Sequence, residues 1–184
     1  MRRGLLTTAF LTAGALAGAA RAQDCPPPPD FGALADSLHA DLAVAPDPAT
    51  AQRLGARLWD LWRSAPDETA QEMLDTGIAR MQQGDLLGSI DLLGRLVDYC
   101  PDYAEGWNQR AFAKYLGGDY EGALTDLDRA IALSPRHLGA VSGRGLTLLQ
   151  LGRTEEGRDA LRDAVRLNPW LAERALIEPP GEDI

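Results

Sequence analysis

Lysine and histidine are among the rarest residue types in this sequence. Lys114 is the single lysine among 184 residues, and His39 and His137 are the only histidines. A protein metal site needs three or four ligands gathered together, and no further ligand stands near either histidine at a suitable spacing. We therefore expect no metal, and we interpret His137 as a capping or surface residue.

Motifs that carry enzyme chemistry are also missing. The sequence has no G-x-S-x-G, no H-E-x-x-H and no phosphate-binding loop. Its carboxylates are numerous, but most fall at positions that we expect to be solvated, such as Asp126, Asp128 and Asp163. No catalytic pair stands out among them, so we expect neither enzymatic activity nor a cofactor.

Cysteine is scarce as well. Cys25 and Cys100 are the only two, and neither belongs to a C-x-x-C motif, which argues against redox catalysis. In an oxidising compartment the two form a candidate disulfide that would tie the N-terminal segment to the body of the protein. The alternative is two unpaired thiols.

The first 22 residues have the pattern of a secretory signal peptide. Arg2 and Arg3 precede an uncharged apolar run over residues 4–20, and the small residues Ala20 and Ala22 suit a cleavage site after Ala22. A membrane anchor is the alternative, although the run is short for a span. The pattern predicts a soluble periplasmic protein that is not stably inserted in the membrane.

Acidic residues outnumber basic ones. Without residues 1–22, Lys and Arg fall from 18 to 15 while Asp and Glu stay at 27, so the net charge becomes −12. Such a surface repels nucleic acid and anionic lipid, because both are negatively charged. We expect partners that are neutral or basic.

Two short helices are predicted ahead of the main part of the chain. Residues 23–30 contain four consecutive prolines and should form an extended spacer. Residues 31–69 then show apolar side chains at helical spacing in two stretches, separated by a break at 45–48. We interpret them as a degenerate helix pair, which either caps the N-terminal end of an array of repeats over residues 70–171 or covers a groove in that array.

A 34-residue period organises the rest. Pro101, Pro135 and Pro169 align the units 70–103, 104–137 and 138–171, and glycine stands seventeen residues before each proline. Each unit therefore predicts a helix, a turn and a second helix. Three further aligned columns hold mostly small residues, which let two helices approach closely. Residues 172–184 are predicted to complete a short closing helix, begun at residue 170, and then a disordered tail.

The middle unit, "WNQRAFAKYLGGDYEGALTDLDRAIALSP", resembles the tetratricopeptide repeat, and the resemblance extends over 70–171. It implies an all-α fold, a right-handed superhelical array of antiparallel helix pairs. It also implies a concave groove, lined by the first helix of each unit, that binds a peptide or protein segment. By this resemblance the groove positions are Leu74, Ile78, Met81, Glu105, Asn108, Gln109, Phe112, Tyr115, Ser142, Leu146 and Leu149.

Among these, Asn108 is expected to bond the backbone of a peptide, and Phe112 and Tyr115 to form an aromatic floor. Packing inside the array is the alternative for both rings, and Arg110 could pair with a nearby acid. The groove has no lysine and carries Glu105, which disfavours an acidic peptide end.

The function implied is a non-catalytic scaffold or adaptor for a protein or peptide segment. A self-associating module, or an accessory subunit of an envelope enzyme or assembly complex, remains the alternative. The sequence leaves the partner and the oligomeric state open.

Overall fold

The computed structural model describes residues 25–177, and all the regular structure in that range is helical. Within those residues no helix has both the length and the apolar character needed to cross a membrane. The eight α-helices are α1 Gly32–Ala43, α2 Pro48–Trp62, α3 Glu68–Gln82, α4 Leu86–Tyr99, α5 Ala104–Leu116, α6 Tyr120–Leu133, α7 Leu138–Gln150 and α8 Thr154–Leu167, followed by a 3-10 helix, Ala172–Leu176.

The turn inside each repeat depends on glycine. Gly84, Gly118 and Gly152 have φ values of 83°, 81° and 75° and are the only residues of the described chain with positive φ. Only glycine adopts this backbone conformation without steric cost. The predicted glycine turn is therefore confirmed in all three units.

Close approach of the two helices in a unit depends on small residues. A β-carbon on Gly77 would lie 2.7 Å from the Leu93 side chain, and one on Gly145 would lie 2.7 Å from Leu161. Helices α3–α4, α5–α6 and α7–α8 pack as pairs in this way, and α4 on α5 and α6 on α7 join the pairs. The predicted all-α solenoid of helix pairs is confirmed.

The N-terminal pair, which we define as α1 and α2, does not extend this stack as a fourth unit. It has a core of its own, formed by Leu38, Leu42, Ala51 and Leu58. Outside that core, α1 packs on α8, at the far end of the array from α3. Of the two predicted arrangements, a cap on the first repeat is wrong.

Several links hold the N-terminal pair in this position, among them a histidine contact and a disulfide. His39 of α1 lies 3.1 Å from the carbonyl oxygens of both Leu167 and Arg136. A disulfide joins Cys25, just before α1, to Cys100 at the end of α4, with the Cα atoms 5.2 Å apart. The chain ahead of α1 is therefore anchored to the first repeat, whereas α1 itself rests on the last.

Predictions for the two ends of the chain can be compared with the structure only in part. The 3-10 helix packs on α8, where a closing helix was predicted. The signal peptide at 1–22 and the tail at 178–184 lie outside the described residues.

Candidate functional site

An apolar groove lies between the first helices of the three repeats. It has a volume of about 460 Å³, within the range of sites that bind small molecules or single peptide side chains. We call this space the concave groove. Its lining comprises Trp59, Ile78, Met81, Gln82, Asn108, Gln109, Ala111, Phe112, Tyr115, Leu116, Leu127, Gly139, Ser142, Gly143, Leu146, Thr147 and Glu173.

Most of the predicted site residues lie here. Phe112 is 49% exposed, and its neighbour Leu116 is 48% exposed, so the groove presents apolar surface to solvent. Tyr115 is half-buried, with its ring centroid 5.4 Å from that of Tyr120. The predicted residues that line the groove are Ile78, Met81, Asn108, Gln109, Phe112, Tyr115, Ser142 and Leu146.

Three predicted site residues do not line the groove. Leu74 is fully buried in the core of the first repeat. Leu149 points into its own helix pair, where its side chain lies 2.9 Å from the β-carbon position of Gly157. Glu105 is 1% exposed and is enclosed by other polar side chains. Their assignment to the groove is wrong because a helix presents neighbouring positions to different surroundings.

Glu105 instead anchors a buried polar network. One carboxylate oxygen accepts a hydrogen bond of 2.9 Å from Asn108 Nδ2, and the other accepts one of 2.6 Å from Gln109 Nε2. His137 Nε2 lies 2.9 Å from Glu105 Oε2, although the contact is not aligned as a hydrogen bond. A buried carboxylate is tolerable only with such partners. The amide nitrogen of Asn108 is therefore held by Glu105, whereas the prediction gave both ends of that amide to the backbone of a peptide.

His137 is buried, so the prediction of a surface residue is wrong, whereas the prediction of a cap is confirmed. Its Nδ1 accepts a hydrogen bond of 3.2 Å from the Ala140 backbone N–H at the start of α7. The ring stacks on Trp62, with the centroids 4.3 Å apart. The contact seals the end of α2 against the start of α7.

The two helices of the middle repeat are joined by buried charge. Asp126, which was expected to be solvated, is 1% exposed and accepts hydrogen bonds from Arg110 at 2.7 and 2.8 Å. Lys114 Nζ lies 2.7 Å from the same carboxylate. Because of these contacts, Arg110 and Lys114 of α5 point away from the groove. The alternative prediction, that Arg110 pairs with a nearby acid, is therefore confirmed.

Trp59 of the N-terminal pair is the main site residue that sequence reasoning missed. A β-carbon on Gly139 would lie 2.6 Å from Trp59 Cη2, so the ring rests on the backbone of α7. The available signal was its spacing from Ala51 and Gly55, which forms a separate stripe beside the leucine face of α2. Gln82, Leu116, Thr147 and Glu173 were also missed.

The seam between the N-terminal pair and the repeats contains two groups with perturbed pKa values. Burial, with a smaller contribution from Glu105, raises the pKa of Tyr103, whose hydroxyl donates to the Trp62 carbonyl oxygen at 2.9 Å. Burial lowers the pKa of His39. Both groups are therefore uncharged at neutral pH, which suits a closely packed seam.

No arrangement for metal chemistry occurs in the described part of the chain. Residues 25–177 contain no group of three or more His, Cys, Asp or Glu side chains that could hold a metal ion.

Comparisons with known proteins find the same architecture. The family model described as tetratricopeptide repeat matches residues 74–135 and 113–169. A TPR repeat-containing protein of Rhizobium etli is 26% identical over 120 residues, which cover 65% of this chain and 59% of that protein. Tetratricopeptide repeat protein 36 of Bos taurus is 38% identical over 100 residues, or 52% of this chain and 53% of that one. The chain thus spans little more than half the length of these relatives.

Solved structures show a similar fold. The first TPR of Spaghetti (RPAP3), bound to the HSP90 peptide SRMEEVD, has a TM-score of 0.56 at 24% identity and covers 58% of this chain and 84% of its own. MamA from Desulfovibrio magneticus RS-1 has a TM-score of 0.52 at 20% identity, with coverage of 77% and 78%.

Proposed function

This chain belongs to the tetratricopeptide-repeat family, and from that premise we propose that it is a non-catalytic scaffold that holds a segment of another protein in the concave groove. The observation that carries the proposal is the exposed apolar surface inside the groove, above all Phe112 and Leu116, which are each about half exposed. Exposed apolar side chains gathered in a concavity are typical of a site that another molecule covers.

Two solved neighbours support this kind of partner. The first TPR of Spaghetti holds an HSP90 peptide, and the second TPR domain of human RPAP3 holds the HSP70 peptide SGPTIEEVD. Both peptides end in acidic residues, whereas the groove of this chain has no basic side chain in its lining. We therefore propose a neutral or basic segment here.

We also propose that the scaffold works in the periplasm after removal of residues 1–22. The Cys25–Cys100 disulfide supports this location, because structural disulfides persist mainly in oxidising compartments. Cell fractionation together with N-terminal sequencing of the purified protein checks it. A mature protein that begins at Gln23 and fractionates with periplasmic markers supports the proposal, and an unprocessed cytoplasmic protein contradicts it.

Site-specific photo-crosslinking in cells tests the groove directly. A photoreactive phenylalanine analogue replaces Phe112, and the matched control carries it at Leu87, which is 83% exposed but lies on the second helix α4. The adduct is identified by mass spectrometry, and the cross-linked partner is then purified and titrated against the protein. We expect an adduct from position 112 alone. Equal adducts from both positions would place the interface elsewhere, and an adduct with a second copy of the chain would favour self-association.

A further inference from the structure

The concave groove is closed at one end by the N-terminal pair. The tip of the Trp59 ring touches Gly139. Asn108 Nδ2 is also close, 3.4 Å from the point that a β-carbon on Gly139 would occupy. The stack of Trp62 on His137 seals the neighbouring gap. Because Asn108 and Gly139 lie in the N-terminal halves of α5 and α7, an occupant enters from the C-terminal ends of these helices and stops at Trp59.

The closed end offers hydrogen-bond acceptors. A carboxylate only accepts hydrogen bonds, so the contacts with Glu105 fix the amide nitrogens of Asn108 and Gln109 toward it. The two amide oxygens have no donor within residues 25–177, and neither is sealed from solvent. The occupant therefore meets two acceptors at the closed end, and a side chain with an N–H donor fits them.

The lining of the groove favours a cation over an anion. The first helices of the three repeats end at its open end, and a helix C-terminus bears a partial negative charge. Glu173 is the single charged side chain in the lining. Arg80 and Lys114, the basic residues in the last turns of α3 and α5, bond instead to the carbonyl oxygens of Gly88 and Gly122 on the second helices. Neither base lines the groove, and Lys114 is neutralised by its pair with Asp126.

Aromatic rings complete the lining. Trp59, Phe112 and Tyr115 supply flat apolar surface, and their faces attract cations as well as apolar groups. The volume of about 460 Å³ admits a large side chain rather than a long stretch of backbone.

We propose that the occupant inserts one tryptophan side chain into the concave groove, with its indole N–H directed at the amide oxygens of Asn108 and Gln109, and carries a neighbouring arginine or lysine that pairs with Glu173. This inference rests on the proposed function, because it names the chemistry of the segment that the scaffold holds. It also explains why Glu105 is buried: its carboxylate orients the two amides so that their oxygens face the ligand.

Three capped pentapeptides test the inference by nuclear magnetic resonance on the purified protein labelled with 15N. The first is Ac-Arg-Gly-Trp-Gly-Arg-NH2, the second has phenylalanine in place of tryptophan, and the third has glutamate in place of both arginines. We expect the first to shift the side-chain amide signals of Asn108 and Gln109 and to bind about tenfold more tightly than either of the others. The variants Phe112→Ser and Glu173→Arg should each weaken it, and Leu87→Ser should not.

The outcomes separate the inference from the proposed function. Equal binding of the basic and acidic peptides in the groove, or equal binding of the tryptophan and phenylalanine peptides, overturns the inference and leaves a peptide-binding groove in place. Shifts that spread over the acidic surface and survive Phe112→Ser show charge attraction alone and also overturn it. If no peptide shifts the groove while cross-linking at Phe112 still captures a partner, the inference fails and the function stands. If neither the peptide titration nor the cross-linking at Phe112 gives a signal, both the inference and the proposed function are contradicted.

Discussion

The repeats and the N-terminal pair are both built from helix pairs, but different interactions hold them in position. In the repeats the same glycine turn recurs every 34 residues, and the same close glycine contact between helices occurs in the first and third units. The N-terminal pair is held by contacts that occur once: the Cys25–Cys100 disulfide, the contacts of His39 with two carbonyl oxygens and the stack of Trp62 on His137. Periodic local contacts build the array, whereas single long-range contacts close its groove.

The largest effect is expected from removing the covalent link of the N-terminal pair. Cys25→Ser opens a loop spanning 75 residues, and the loop-entropy model assigns such a link about 4 kcal/mol of the free energy of unfolding. Urea denaturation of the oxidised proteins measures the difference. Under reducing conditions the two proteins should unfold at nearly the same urea concentration, and a persistent gap would show that the loss has another cause.

A smaller but still large effect is expected inside the repeats. Gly145→Leu forces a side chain against Leu161 and against the Gly157 carbonyl oxygen, which is 3.0 Å from the β-carbon position, so we expect a loss of about 3 kcal/mol. The matched control in the N-terminal pair is Gly55→Ala, where nothing lies within 4 Å. Alanine there should raise stability by up to about 1 kcal/mol through helix propensity. Thermal unfolding compares the stabilities of the two variants. Similar losses of stability would contradict the importance of the close approach between helices α7 and α8.

The helix caps provide a comparison within the repeats. Asp119 accepts a hydrogen bond of 3.0 Å from the Gly122 N–H at the start of α6, whereas Arg153 stands at the same place before α8 and makes no side-chain cap bond. Asp119→Ala should therefore cost about 1 kcal/mol in the free energy of unfolding. Arg153→Ala should change it by no more than about 0.5 kcal/mol, because it removes only an exposed ion pair with Glu156. Chemical denaturation measures the free energy of unfolding of both variants. Equal losses in the two would contradict this prediction.

The smallest effect is expected from pH at the seam between α1 and α8. Because burial lowers the pKa of His39 in the folded protein, the unfolded chain binds more protons there, and the contribution of this residue to stability is lost as pH falls below about 6.5. Above that pH the contribution is fully present. Unfolding free energies at pH 7.5 and 5.5 should differ more in the native protein than in His39→Gln. An identical pH dependence in both proteins would contradict the assignment of this effect to His39.

The repeat fold was predictable because its signals are local and recur. The positive φ of Gly84, Gly118 and Gly152 follows from one aligned column, and three copies of it exclude coincidence. The groove was predictable only in part. Phe112 and Leu146 line it as the resemblance implied, but Glu105 does not, because a buried cluster of His137, Asn108 and Gln109 surrounds its carboxylate. The spacing of residues along α5 does not reveal that His137, which caps α7, lies against the carboxylate of Glu105.

The N-terminal pair shows the same limit more sharply. The leucine face of α2 was predictable from the spacing of its residues. The contact of Trp59 with Gly139 joins residues 80 positions apart and produces no periodic pattern in the sequence. Trp59 therefore went unrecognised as the residue that closes the groove.

What the amino-acid sequence determined by itself is the succession of helices and turns and their stacking into an array, since helix periodicity, glycine turns and small-residue contacts act between near neighbours in the chain. What only the tertiary structure decided is where the N-terminal pair rests, which carboxylates are buried, and that one end of the groove is closed. Those features depend on side chains that meet across the array, and the free energy of such contacts exists only once the helices have packed.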